Sequence, residues 1–205
     1  MTAIWIASNN AKKRIELTRL LAPLGCEIRT PADLGNEAGY APVEDAPDFA
    51  GNARIKAKAL ARLAQGLAVG DDSGLCVDAL DGRPGVHSAR YGGEGLNDRD
   101  RLEKLLEELR DVPLIERTAR FVCSLCVCDA GGTERLALEE SCEGTLLTAA
   151  TGSGGFGYDP IFVPREFDGD PTRSFAMLDA ATKDRLSHRG KALRRLALQL
   201  PGLIA

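Results

Sequence analysis

An apolar run, a polar turn and an amphipathic helix follow one another at the start of the chain, and that order sets the fold class. The string AIWIA at 3–7 reads as a buried strand, and Ser8, Asn9 and Asn10 form a polar turn suited to capping a helix. Ile15, Leu17, Leu20, Leu21 and Leu24 give that helix its apolar side, with Gly25 as a natural stop. The alternation recurs downstream. A short strand fits 26–30, and 31–48, with Pro31, Pro42, Pro47 and several acids, reads as a long connection. Residues 52–65 predict a helix in which Lys56, Lys58 and Arg62 stand among alanines and leucines. A strand at 67–70 then ends in GDDSG, 70–74. Asp98 or Asp100 opens a helix carrying Leu102, Leu105, Leu106 and Leu109, closed by Pro113. Longer strands near 118–128 and 134–141 flank the turn DAGG, and a final helix from about 186 to 200 presents Leu193, Leu196 and Leu200. The pattern is α/β, in a single domain over 1–205.

A chain of 205 residues can bury a substantial core. Its net charge of −4 offers no basic footprint for nucleic acid. The apolar runs fall far short of the ~20 residues that cross a bilayer, and MTAIWIASNN at the start lacks the pattern of a secretory signal. A cytoplasmic protein without nucleic-acid or membrane partners is the expectation. Of the cysteines, Cys123, Cys126 and Cys128 cluster within ARFVCSLCVC, 119–128. Strand alternation puts Cys126 and Cys128 on one face and Cys123 on the other, and no second ligand pair follows at zinc spacing. They read as buried packing residues.

Four groups of residues have the makings of chemistry, and each also has an ordinary structural reading. Adjacent aspartates Asp71 and Asp72 at a strand end suit a divalent cation, as do Glu44, Asp45 and Asp48, but turns and acidic loops use the same residues. Ser8, Asn10 and Lys13 at a helix start suit a phosphate, or a simple cap. GSGGFGYD at 152–159 lets a backbone approach a ligand closely, with Phe156 or Tyr158 able to stack on a base; a hairpin loop looks alike. KDRLSHRG at 183–190 supplies Lys183, His188 and Arg189 as donors, or a solvated helix start. His87 lies in a turn and reads as a surface residue. Together the four describe a pocket for a metal-bound nucleoside polyphosphate.

The strings ASNNAKK (7–13), FAGNA (49–53), GDDSGL (70–75), PG (84–85) with SARY (88–91), GGFGYDP (154–160) and SHRG (187–190) carry a resemblance to a known family. In them the sequence resembles the inosine/xanthosine triphosphate pyrophosphatases, the ITPase-like or dITP/XTP pyrophosphatase enzymes, over nearly the whole chain. The resemblance implies an α/β fold with a long curved mixed sheet flanked by helices, in two lobes with the nucleotide cleft between them. It also implies a homodimer, a Mg2+ requirement, and hydrolysis of deaminated purine nucleoside triphosphates to monophosphate and pyrophosphate.

Carried over by position, Ser8, Asn10 and Lys13 match the phosphate-binding turn. Glu44 and Asp72 match metal ligands, with Asp71 beside them, and Asp72 matches the proton acceptor. Ser73, Phe156, Gly157, Tyr158, Asp159, Lys183, His188 and Arg189 match substrate contacts. EDAPDF at 44–49 departs from the family's usual Glu-x-Gly-x-Thr-Phe, and Ser8 replaces a common threonine. Donors aimed at the purine O6 would disfavour adenine, whose amino group leaves them unpaired. Two other readings stay open: a pyrophosphatase for modified pyrimidine or methylated nucleotides, and a nucleotide sensor without catalysis.

Overall fold

The computed structural model describes residues 3–35, 39–93, 95–167 and 170–204. Part of the connection expected over 31–48, residues 36–38, lies outside them. A mixed sheet of six strands in the order β2-β1-β3-β4-β5-β6 organises the chain. The strands are β1 (Ala3–Ala7), β2 (Glu27–Arg29), β3 (Leu67–Val77), β4 (Thr118–Cys128), β5 (Glu134–Leu146) and β6 (Phe162–Pro164). β1 pairs in parallel with β2 and β3, whereas β5 and β6 are antiparallel. The helices are α1 (Ala11–Leu21), α2 (Phe49–Ala64), α3 (Asp98–Glu108), α4 (Ala180–Leu186), α5 (His188–Gln199) and α6 (Pro201–Ile204).

The chain divides into two compact units. Unit 1 is Met1–Asp72, Cys123–Glu140 and Arg189–Ala205; unit 2 is Ser73–Val122 and Ser141–His188. In unit 1, strand alternation sorts β1 between two cores. Ile4 and Ile6 pack with Leu17, Leu21, Cys123, Leu193, Leu196 and Leu200, while Trp5 and Ala7 pack with Ala53, Ala57, Leu60, Cys126 and Cys128. The cysteines thus divide between faces as their spacing predicts. Unit 2 has its own core, in which Leu102 and Leu105 of α3 meet Phe121, Leu146, Tyr158, Phe162 and Phe175.

Two expectations need correction. The strand expected to stop at Gly70 runs on through both aspartates to Val77, so Asp71 and Asp72 lie within a strand and not at its end. Glycines and aspartates are poor strand formers, and tertiary contacts override them here. A Cβ on Gly70 would lie 2.1 Å from the Ala53 carbonyl oxygen and 2.7 Å from the Ala57 nitrogen. The backbone of α2 therefore rests directly on β3, a contact open only to glycine. Cationic partners, described below, offset the two charges. The strand expected over 134–141 likewise continues to Leu146, where β6 pairs with its end. The helix expected from about 186 to 200 is α5, and its predicted leucines 193, 196 and 200 are buried. A short helix not expected from the sequence, α4, precedes it and ends at Leu186, with Ser187 extended between the two (ψ 152°).

Candidate functional site

Period-two alternation sends Asp71 and Asp72 to opposite faces of β3, and each meets different partners within unit 1. Asp71 has no exposed side-chain surface; Lys13 Nζ reaches its Oδ1 at 3.0 Å and Arg189 Nε its Oδ2 at 2.8 Å. Arg189 also pairs with Glu16 of α1. Burial opposes the Arg189 charge, but Asp71 and Glu16 outweigh it and raise its pKa above the ordinary value.

Asp72 faces α2. Lys56 Nζ lies 2.7 Å from Asp72 Oδ1 and 3.0 Å from Glu44 Oε2. Asn52, one helical turn before Lys56, donates from Nδ2 to Asp72 Oδ2 at 3.3 Å and accepts the Ala46 N–H on Oδ1 at 3.0 Å. One buried amide thus ties Asp72 to the loop that carries Glu44. Burial pushes the Asp72 carboxyl above its ordinary value, against the pull of Lys56 and Lys13. For Lys56 burial works against the charged form, yet Asp72 and Glu44 prevail and its pKa is raised. Two hard carboxylates with an ammonium between them could hold a cation by their donor chemistry. Among the described residues no group of three His, Cys, Asp or Glu side chains could hold a metal ion unaided. Magnesium typically takes one or two carboxylates and completes its shell with water and substrate phosphates.

The turn before α1 is a cap. Asn10 Oδ1 accepts from the Lys12 and Lys13 amides at 2.9 and 3.2 Å, and Ser8 Oγ accepts from the Asn10 amide at 3.2 Å. Asp48 caps α2 by accepting the Gly51 N–H at 2.7 Å.

In unit 2 the glycine-aromatic loop is braced by carboxylates. A single oxygen of Asp159, Oδ2, accepts the Phe156 N–H at 2.7 Å and Lys183 Nζ at 2.8 Å. Gly155 (φ +69°) approaches so closely that a Cβ there would sit 2.1 Å from this oxygen. The Gly157 N–H donates to Asp98 Oδ2 at 3.1 Å. Lys183 Nζ lies 5.2 Å from the centre of the partly exposed Phe156 ring. Tyr158 is buried, its hydroxyl donating to the Ser88 carbonyl at 3.1 Å, which leaves Phe156 as the loop's accessible aromatic. His188 stacks on Phe121 with ring centres 4.9 Å apart. Ser73 is partly buried on β3, and His87 is exposed.

Unit 1 therefore holds two charged clusters, Lys13, Asp71 and Arg189 on one face of β3 and Glu44, Lys56 and Asp72 on the other, and unit 2 gathers Phe156, Gly157, Asp159 and Lys183 around one loop. Sequence reasoning missed Asn52, Lys56 and Glu16. Asn52 and Lys56 were detectable as a polar pair at i and i+4 on the alanine-rich face that α2 buries. Glu16 gives no such signal.

The model of the Ham1 family matches residues 4–199, and the chain belongs to that family. It is 44% identical over 196 residues to a dITP/XTP pyrophosphatase of Geobacillus kaustophilus, covering 96% of this chain and 93% of that protein. A dITP/XTP pyrophosphatase of Desulforamulus reducens is 45% identical over 191 residues, 93% of this chain and 91% of its own. Among solved structures, a HAM1 protein from Coxiella burnetii superposes with a TM-score of 0.86 at 33% identity, covering 98% of this chain and 100% of that one. A nucleoside-triphosphatase / dITP/XTP pyrophosphatase from Mycobacterium abscessus gives 0.74 at 39%, covering 95% and 98%.

Proposed function

We propose that this protein is a nucleoside triphosphate pyrophosphatase. It converts deaminated purine nucleotides (ITP, dITP, XTP) to the monophosphate and pyrophosphate, and so keeps them out of DNA and RNA. The observation that carries the reading is Asp72, a buried carboxylate held by Asn52 and Lys56. A carboxylate oriented in this way can take the proton of a water attacking the α-phosphorus. The relatives from Geobacillus kaustophilus and Desulforamulus reducens are dITP/XTP pyrophosphatases, which supports the same chemistry here.

Lys13 and Lys183 offset charge on the phosphates, with Ser8, Asn10 and Ser73 as further polar contacts. Mg2+ held by Glu44 and Asp72, with Asp71 behind them, would polarise the phosphoryl oxygens and stabilise the leaving pyrophosphate. Phe156 stacks on the base, while Gly157, Tyr158 and Asp159 shape the loop around it and His188 and Arg189 supply donors for recognition. A homodimer and a cytoplasmic location belong to the same proposal; light scattering tests the first. Among the described residues no helix is long and apolar enough to cross a membrane.

The deciding measurement is pyrophosphate release with Mg2+ from ITP, dITP, XTP, GTP, ATP and dUTP, compared as kcat/KM. Preference for the first three by about 10²-fold supports the reading. Activity led by dUTP overturns the base assignment, and tight binding without release of pyrophosphate overturns the catalytic one.

A further inference from the structure

Lys56 occupies a position that the assignment above gives to a metal. Its ammonium lies 2.7 Å from Asp72 and 3.0 Å from Glu44, and the side chain is only 9% exposed. The stem rises from α2, which the contact at Gly70 presses onto β3. Tyr40 adds to the anchoring by donating its hydroxyl to the Lys56 carbonyl at 3.1 Å. An ammonium is a compact point charge that takes oxygen donors from several directions, on a stem with four rotatable carbons. It therefore satisfies the same two carboxylates that a divalent ion would use, and it is the group able to leave them without unfolding the helix.

We propose that Lys56 is an internal counter-cation, which fills the Glu44–Asp72 pair in the free protein and yields it to a divalent ion when a nucleotide's phosphates offer the ammonium new partners. The inference rests on the metal assignment in the proposed function and adds an order of events to it. A metal entering the free protein would have to displace a buried ammonium from the two carboxylates that neutralise it. A bound triphosphate offers that ammonium new anionic partners, so metal and nucleotide tighten each other. Such coupling is reciprocal: each raises the affinity for the other by one factor.

Mn2+ is the probe, its binding followed by calorimetry and by its electron paramagnetic resonance signal. The whole chain is used, with and without an α,β-imido analogue of dITP whose own Mn2+ binding is subtracted. Wild type should bind Mn2+ weakly alone and about tenfold or more tightly with the analogue. Lys56→Met, and Lys56→Gln as the more conservative change, should gain about tenfold or more in nucleotide-free Mn2+ affinity, since two carboxylates then lack a cation. Lys56→Arg keeps the charge and should bind as weakly as wild type.

Folded Met and Gln variants that bind Mn2+ no more tightly than wild type would overturn the inference. So would a wild type whose affinity is the same with and without the analogue, an arm that does not depend on any variant folding. Hydrolysis of dITP by the same wild-type preparation separates the two claims. If it proceeds while the affinities fail to differ, the counter-cation fails alone; if it is absent, the functional reading fails.

Discussion

Asp71 Oδ2 and Arg189 Nε lie 2.8 Å apart, with side-chain exposures of 0% and 4%. A charge pair so buried costs desolvation on both sides and holds only while each partner stays. Arg189→Met would take a buried cation from Asp71 and the guanidinium from Glu16. We expect a loss of about 3–5 kcal/mol in urea unfolding; an unchanged midpoint would show the pair to be dispensable.

Asp72→Asn keeps the shape of the side chain and its bond to Lys56 in part, but removes the base. Turnover of dITP should fall by about 10²-fold or more while nucleotide binding persists. Near-wild-type turnover would remove Asp72 from its proposed role.

Asn52 should act through Asp72, as a positioning residue. In Asn52→Asp the donor facing Asp72 Oδ2 becomes an acceptor, and in Asn52→Ala both ends of the tether are lost. For either, kcat should drop about 10–100-fold with KM for dITP little changed. A fall in thermal stability with unaltered kcat would mark Asn52 as packing only.

Acid should weaken unit 2 through Glu108. The Tyr91 hydroxyl donates to it at 2.6 Å and Arg83 at 3.0 Å, and these bonds, Tyr91 first, hold its carboxyl below the ordinary 4.5. Tyr91 in turn is pushed up to about 12, by burial first and then by Glu108. A depressed folded-state pKa stabilises fully above the unfolded value and is lost as pH falls through the folded one. The Tm difference between wild type and Glu108→Gln should hence be flat above about pH 5 and shrink below it. A difference that grows on acidification would refute the assignment.

The sequence made the element order legible because most elements announce themselves locally. Asn10 caps α1, the leucines of α1, α3 and α5 repeat at helical spacing, and β4 is mostly apolar, with FVC and LCVC strings. It misplaced the end of β3 because the residues that keep Asp71 and Asp72 in a strand are distant: Lys13, Lys56 and Arg189 supply the charge, and Ala53 the contact at Gly70. The same distance explains the candidate site. Motif strings pointed to Asp72 and the Phe156 loop, but nothing short-range reveals that Lys56 bridges Glu44 to Asp72, or that Arg189 faces Asp71. The helix α4 was not legible because it is seven residues long and buries only Lys183 and Leu186, too little for a periodic signal.

The two bonds that share Asp159 Oδ2 link the loop's backbone to a movable charge. Whatever draws the Lys183 ammonium elsewhere removes a bond from that oxygen and changes the hydrogen bond that holds the Phe156 amide. The reach of the lysine and the posture of the aromatic loop are therefore one adjustable quantity, so a ligand felt at the cation is also felt at the ring.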